Sequence, residues 1–410
     1  MFKDNYDLEL SCASANACSA YLAGIDNALR LDHPGIRELT EAVDRDPDFA
    51  LAHAALARQL QIHGLTEKVA GHLDRAVSLK PAATRREQSA IDVIVAAAHF
   101  REDALKLASR HTEEFPRDIF ILSHIVGPFG LLAFSGQRAW REENVALLDA
   151  LKNSYPADDW WYLSTLSFTA AEVGDLVAAR KYGEHAWRLS ENGNCAHSLA
   201  HVHFEEAAVD EGMDFIDKWL GTRGVDSDMR HHLVWHLALL LREQGAPASE
   251  LLAIYERELD PRVSDPMPLS TFSDNAALLW RCSLSGLEIP ADIRQDLADY
   301  ADRHYPDNGF AFADIHRIMS TALHDSDAER RALADGISRA KDYSGTRLGV
   351  ALVRYAEGFY AFASRDFATA IERLEPVVAD SVLLGGSNPQ RRIVEETYRA
   401  ALNARIEANA

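Results

Sequence analysis

Apolar residues recur every three or four positions along nearly the whole chain, with polar residues between them. This is the period of an amphipathic α-helix, and no stretch shows the alternation that is typical of a half-buried strand. Pro and Gly fall between the periodic blocks, where helices are expected to end. The sequence therefore predicts an all-α protein of about twenty helices in roughly ten antiparallel pairs, with about two thirds or more of its residues helical.

Two capping boxes mark helix starts within this pattern. Thr84 is followed three residues later by Glu87, and Ser326 by Glu329. In such a box the hydroxyl accepts a hydrogen bond from the third amide of the helix, and the glutamate returns one to the capping amide.

Four stretches share one plan of two helices joined by a short turn, with small Ala residues in the second helix. Ala lets two helix backbones approach closely where they cross. The spacing is close to the period of about 34 residues of tetratricopeptide repeats (TPRs). We therefore predict one TPR-like superhelix, an α-solenoid, over residues 1–410, with a possible seam near 260–273. The four stretches are 48–81, 160–192, 231–261 and 348–380, with turns at Gly64, Gly174, Gly245 and Arg365.

Charge and composition narrow the class of protein. The 42 Lys and Arg against 63 Asp and Glu give a net charge of −21, and no basic patch interrupts this acidic balance. A phosphate backbone would be repelled, so a nucleic-acid partner is not expected. The four Cys form no C-x-x-C pair, which excludes a cysteine zinc site. The N-terminus lacks the apolar core of a signal peptide, and no apolar run suits a membrane helix, so we expect a cytoplasmic protein without a membrane partner.

The most suggestive polar pattern is a pair of histidine stripes. His197, His201 and Glu205 follow one another at four-residue intervals, and His232 and His236 repeat that spacing further along the chain. Residues four apart share one face of a helix. If the two stripes meet, one His could act as a general base oriented by Glu205. The candidate catalytic residues are His201, Glu205 and His236, and the candidate ligand-binding residues include His197, His232 and Trp235.

Three interpretations of these stripes remain open. The flanking residues are apolar, so the histidines could be hydrogen-bonded residues of a buried core. They could instead line a metal-free polar pocket, or bind a transition metal through neutral imidazoles. The sequence between His197 and His201 lacks the Glu of a zincin motif. We therefore predict no stoichiometric metal and no cofactor.

Two further stretches supply candidate ligand-binding residues. Asp314 and His316 are two apart, about 200° around a helix, so only one of them can point into a given cavity. Two glycines precede Asn388 and Arg391, and exposed helix amides with an arginine could bind an anion there. An ordinary turn and helix cap is the simpler alternative.

Several stretches together resemble the tetratricopeptide repeat protein 38 family. They cover nearly the whole chain, at 44–57, 196–220, 231–245, 274–286, 312–323 and 385–402. The resemblance implies an all-helical superhelix of TPR-like pairs and says little about chemistry. In the last stretch the family usually carries His where this chain has Asn388, so a role of that imidazole is not expected here.

Two functions follow from these patterns. The first is an internal, His-lined pocket for a small organic or peptide-like ligand, with metal-independent acid/base catalysis as an option and the reaction type open. The alternative is a scaffold that binds a partner peptide in a concave groove, as repeat superhelices do.

Overall fold

The chain folds almost entirely into helices in a computed structural model that describes residues 2–408. Helical residues, including short 3-10 and π segments, make up 72% of the chain, and the described range contains 21 α-helices. Within the described range the only sheet is a two-stranded hairpin, β1 (Phe2–Lys3) and β2 (Glu9–Leu10), paired antiparallel. The predicted all-α fold class is therefore confirmed.

The helices are divided between two compact units. The first unit contains the chain up to Leu132 together with Trp140–Leu233, and the second contains Ala133–Ala139 and the chain from Val234 onward. The helices of the first unit, in chain order, are α1 (Ala15–Arg30), α2 (Ile36–Arg45), α3 (Ala50–Ile62), α4 (Val69–Leu79), α5 (Arg85–Ala98), α6 (Ala104–Glu114), α7 (Ile119–Ile125), α8 (Trp140–Leu151), α9 (Trp160–Glu172), α10 (Leu176–Leu189), α11 (Gly193–Glu205) and α12 (Val209–Leu220).

Helix α13 (Arg230–Glu243) begins in the first unit and continues into the second. The remaining helices belong to the second unit: α14 (Ala248–Ile254), α15 (Pro268–Leu284), α16 (Ala291–His304), α17 (Ala311–Leu323), α18 (Asp327–Arg339), α19 (Arg347–Ala363), α20 (Phe367–Leu374) and α21 (Asn388–Ala408). Short 3-10 segments lie between helices, and a π-helical turn, Tyr255–Leu259, follows α14. The predicted seam at 260–273 lies inside the second unit.

Three of the four predicted repeats, 48–81, 160–192 and 348–380, are found as pairs of successive helices. Helix α3 packs against α4, α9 against α10 and α19 against α20. Their turns adopt positive φ, at +72° for Gly64 and +83° for Gly174, which a glycine adopts without strain.

The small residues of these pairs lie where helices cross. Ala179 is fully buried and packs against Ala171 and Val202, and Ala370 packs against Ala401. A larger side chain would separate the backbones at these points.

Helix starts follow the capping chemistry that the sequence indicates. At α5 the Glu87 amide donates to Thr84 Oγ1 at 3.2 Å, and the Thr84 amide donates to Glu87 Oε2 at 2.9 Å, so the capping box is complete. At α18 the Ser326 hydroxyl accepts from the Glu329 amide. Two amides that the helix itself cannot satisfy are thus paired at α5.

Candidate functional site

The first histidine stripe lies on α11, and the start of this helix is fixed by a side-chain cap. Asn192 accepts a hydrogen bond from the Cys195 amide at 3.0 Å. His197 and His201 then follow on successive turns, and their Nε2 atoms lie 2.9 Å apart. The two imidazoles are edge to face, with ring centres 4.6 Å apart. The i, i+4 spacing of the sequence thus produces a direct contact between ring nitrogens.

His232, at the start of α13, completes a cluster with these two residues. Its Nε2 lies 3.1 Å from that of His197, and the two ring centres are 4.9 Å apart. His201 and His232 are buried, and His197 is partly buried. His232 of the second stripe therefore contacts the first stripe within the first unit. We call His197, His201 and His232 the histidine cluster.

An aromatic wall from α9 holds the cluster in place. The ring of Phe168 is stacked on His197 at 5.7 Å and stands edge-on to His201 at 4.7 Å. Burial, together with the neighbouring His232, lowers the pKa of His197 well below its usual value. The imidazole of His197 is therefore neutral at neutral pH.

Each stripe continues along its helix beyond these three residues. Glu205 is the last residue of α11, two turns beyond His197 or about 12 Å along the axis. It is not in the group of described His, Cys, Asp and Glu side chains that could share a metal ion. His236 lies on the same face of α13 as His232, one turn further on and past the point where the chain enters the second unit. His203 points to the other side of α11, where its ring lies 5.5 Å from that of Phe215.

Asp314 and His316 lie on opposite sides of α17 in the second unit, as their two-residue spacing predicts. Asp314 accepts hydrogen bonds from the Gly309 amide at 3.0 Å and from the Tyr343 hydroxyl. The Nδ1–H group of His316 donates to the Phe312 carbonyl, and the imidazole ring contacts the ring of Phe272 on α15. Both side chains are buried. Only His316 faces the junction with α15.

Helices α15, α17 and α21 each carry a buried polar side-chain atom that the second unit does not satisfy. His316 Nε2, Thr271 Oγ1 of α15 and Gln390 Nε2 of α21 are buried and have no hydrogen-bond partner within the protein. The charge of Asp274 also acts on His316, whose pKa is lowered to about 4 mainly by burial. We call His316, Thr271 and Gln390 the α15–α17–α21 junction. Buried polar atoms of this kind normally bind water or a ligand.

Trp235, Asn388 and Arg391 also lie in the second unit. Trp235 is completely buried, and the guanidinium of Arg281 lies 5.9 Å from its ring centre. Arg391 is buried and donates to the Gly386 carbonyl and to Asn388 Oδ1. The arginine and the asparagine thus brace the turn that precedes α21.

A further polar network of the first unit gave no sequence signal. His111 of α6 contacts Ser89 Oγ at 2.9 Å through Nδ1 and Asp118 Oδ2 at 3.1 Å through Nε2. Arg86 Nη1 donates to the same Asp118 oxygen at 2.9 Å. Serine, histidine and aspartate in a row suggest a nucleophile and base, but the paired arginine neutralises the carboxylate. The network therefore stabilises the start of α7, where Asp118 also caps the helix.

Comparisons with known proteins leave the chemistry of these sites open. No family model matches the chain. Among solved structures, the chain is similar to the crystal structure of the P58(IPK) TPR domain, with 12% identity over 96% of this chain and 99% of that chain and a TM-score of 0.23. A TM-score that low establishes neither fold nor function. The resemblance to the tetratricopeptide repeat protein 38 family stays a prediction. None of the helices within residues 2–408 has the length and apolar character needed to cross a bilayer.

Proposed function

We propose that the chain is a helical-repeat interaction protein that binds an extended, positively charged segment of a partner protein. The observation that carries this proposal is the recurrence of the helix pair in both units, as in α3–α4, α9–α10 and α19–α20. Stacked pairs expose the same positions of successive repeats side by side, and an extended chain can contact several of them at once.

Exposed apolar side chains at the turns of successive pairs support a binding surface in the first unit. Leu65 lies between α3 and α4 and is 53% exposed, Phe100 lies between α5 and α6 and is 72% exposed, and Val177, the second residue of α10, is 85% exposed. Single exposed apolar residues are ordinary, but their recurrence at equivalent turns favours a common partner. The net charge of −21 attracts a basic segment and repels an acidic one.

Peptide display tests this proposal. Random 16-residue peptides are selected against the immobilised full chain, and the enriched sequences are synthesised for fluorescence anisotropy. We expect a consensus that combines Lys or Arg with aromatic or aliphatic residues. The triple variant with Leu65→Ser, Phe100→Ser and Val177→Ser should bind about tenfold more weakly, since the apolar anchors are lost.

The matched control is Val350→Ser, which changes an exposed valine of the second unit. It should leave the affinity within about twofold. Scrambled peptides that bind as tightly as the selected ones would show that only charge attraction is measured, and would overturn the proposal. Equal binding by the triple variant would show that these three residues are not part of the binding surface.

A second candidate function is binding of a small polar molecule with acid/base chemistry, which the α15–α17–α21 junction favours. His316 Nε2, Thr271 Oγ1 and Gln390 Nε2 together offer donors and acceptors without protein partners. His316, with its pKa lowered to about 4, is a neutral base at pH 7. A small organic acid or dipeptide has matching hydrogen-bonding groups.

Thermal-shift measurements with amino acids, dipeptides and dicarboxylates test this second candidate. One class should raise the melting temperature by several degrees, because a ligand of the folded state stabilises it. The shift should vanish in Gln390→Leu and persist in Arg399→Ala, an exposed change on the same helix. If no class shifts the melting temperature, or if Gln390→Leu retains the shift, this candidate fails.

A further inference from the structure

Three imidazoles of the first unit direct the same kind of atom at one point. The Nε2 atoms of His201 and His232 lie 2.9 and 3.1 Å from Nε2 of His197. One suitable ring nitrogen of each of the three residues lies within 4.8 Å of the others. The ligand atoms therefore come from α11 and from the first turn of α13, and all three residues belong to the first unit.

A single hydrogen bond cannot join the three Nε2 atoms of this arrangement. A neutral imidazole has one N–H and one lone-pair nitrogen, so the Nε2 atom of His197 can donate one proton or accept along one lone pair. It faces two other Nε2 atoms at hydrogen-bond distance. One proton can join only two of the three nitrogens, whereas a cation between them attracts all three lone pairs at once.

The distances suit a small metal ion. Imidazole nitrogens lie 2.0–2.1 Å from Zn²⁺, and tetrahedral angles place two such ligands about 3.3 Å apart. The observed separations of 2.9 and 3.1 Å are a few tenths of an ångström shorter, so a small outward movement of the rings would admit the ion. Side chains that diverged, or rings separated by packed apolar groups, would require a much larger change.

The chemistry of the donors selects the class of metal. Neutral imidazole suits Zn²⁺, Cu²⁺, Ni²⁺ and Fe²⁺, whereas Mg²⁺ and Ca²⁺ prefer oxygen ligands. The ring of Phe168, stacked on His197, provides an apolar wall that limits water and fixes the ligand orientation.

We propose that His197, His201 and His232 form a three-histidine site for a borderline transition-metal ion such as Zn²⁺. The sequence alone favoured a metal-free cluster because it shows no zincin motif and no Cys ligand pair. The packing of α13 against the α11 stripe changes that expectation. This proposal is independent of the proposed scaffold function.

Metal titration of the full chain tests the site. The protein is stripped with a chelator, dialysed, and titrated with Co²⁺ while visible absorption is followed, and then with Zn²⁺ in competition. We expect one Co²⁺ per chain, an intense band between about 500 and 650 nm from tetrahedral coordination, and loss of that band when Zn²⁺ is added. Elemental analysis after Zn²⁺ loading should give one ion per chain.

Single substitutions at the three ligands identify the site. His197→Ala, His201→Ala and His232→Ala should each weaken metal affinity by more than about 100-fold, beyond the loss typical of an outer-shell partner. The matched control is His203→Ala, on the same helix but facing Phe215, and it should retain one metal per chain. Circular dichroism of each metal-free variant checks that it is folded. An alanine variant that does not fold is replaced by the glutamine variant at the same position, such as His201→Gln.

Added Zn²⁺ should also raise the melting temperature of the wild-type chain and of His203→Ala, but not of the three ligand variants, since a bound ion stabilises the folded state. Less than about one tenth of an ion per chain at micromolar metal would overturn the proposal. So would ligand variants that bind as tightly as wild type, because the ion would then be held elsewhere.

Discussion

Asp118 Oδ2 accepts a hydrogen bond from Arg86 Nη1 at 2.9 Å, and both side chains are buried inside the first unit. The second guanidinium nitrogen of Arg86 donates to the Glu9 carbonyl, which ties β2 to α5. The guanidinium of Arg86, with His111, holds the pKa of Asp118 well below its usual range against the opposing effect of burial. This buried ion pair therefore connects the N-terminal hairpin to α5 and to the start of α7.

Replacing Asp118 should therefore be strongly destabilising. Asp118→Asn leaves Arg86 buried without a counter-charge, at a cost of about 3–5 kcal/mol of unfolding free energy. Replacing both residues, as Arg86→Met with Asp118→Leu, should recover much of that loss. Urea unfolding followed by circular dichroism measures each variant. The control is Asp103→Asn in the exposed Arg101–Asp103 pair, where a loss above about 1 kcal/mol is not expected.

The Arg86–Asp118 pair also makes the free energy of unfolding depend on pH. A carboxyl group whose pKa is lower in the folded state stabilises the fold above its unfolded pKa of about 3.9. That contribution is lost as the pH falls below this value. Asp118→Asn should therefore flatten the stability profile below about pH 4, and an unchanged profile would show that other carboxyl groups dominate acid unfolding.

His316 should make the protein less stable in mild acid. Its folded pKa is lowered to about 4, mainly by burial, whereas an unfolded histidine titrates near 6.5. The unfolded chain then binds the proton more tightly, so stability falls as the pH drops below about 6.5. The loss from this one residue at pH 5.5 is about 1.4 kcal/mol.

Comparison of His316→Gln with wild type at pH 7.0 and 5.5 measures this effect. The variant should lose about 1.2 kcal/mol less than wild type between the two pH values, because it cannot be protonated. The control is Ser320→Ala, a change at a buried residue of the same helix, which should lower the free energy of unfolding equally at the two pH values. An identical pH slope in His316→Gln and wild type would contradict the prediction.

The turn between α9 and α10 depends on glycine. Gly174 has φ of +83°, and a Cβ added there would meet no atom within 4 Å, so only the backbone conformation opposes a side chain. Gly174→Ala should cost about 1–2 kcal/mol of unfolding free energy. Gly71, on α4, is equally open but has helical φ. Gly71→Ala should be neutral or stabilising by about 0.5 kcal/mol, since alanine favours a helix. Thermal melts that rank the two variants in the opposite order would reject this account of the turn.

Close packing of the repeat at Ala179 should tolerate no larger side chain. Ala179 is completely buried against Ala171 and Val202, so Ala179→Leu must separate α10 from its neighbours. We expect a loss of about 1–3 kcal/mol by urea unfolding. Val177→Leu, two positions earlier at an 85% exposed site, should change stability by less than about 0.5 kcal/mol. Equal effects of the two changes would mean that the crossing is loosely packed.

Much of the fold could be predicted because it depends on local rules. The 3.6-residue period predicted the helices, and Gly64 and Gly174 marked the turns between them. Thr84 and Glu87 predicted a capping box that is complete in the structure. The opposed sides of Asp314 and His316 followed from helix geometry alone. The sequence also indicated that Ala179 would lie at a helix crossing, since close contact requires a small residue.

The sites were predicted less completely, because contacts between distant residues have no local signature. The i, i+4 spacing put His197 and His201 on one face, but only packing brought His232, 35 residues later, to within 3.1 Å. The sequence grouped Glu205 with them, whereas two helical turns separate its carboxylate from His197. The network of Ser89, His111 and Asp118 gave no sequence signal, since its members come from α5, α6 and the cap of α7.

The sequence by itself thus determined which segments are helices, where they end and which faces they bury, because hydrophobic period, capping and backbone preference act within a few residues. The tertiary structure alone decided which imidazole nitrogens converge, which buried carboxylate has an arginine partner, and which polar atoms at the α15–α17–α21 junction lack one. Those relationships depend on how helices far apart in the chain pack against one another, and a change of a few ångströms in that packing creates or removes a site without altering the pattern of any single helix.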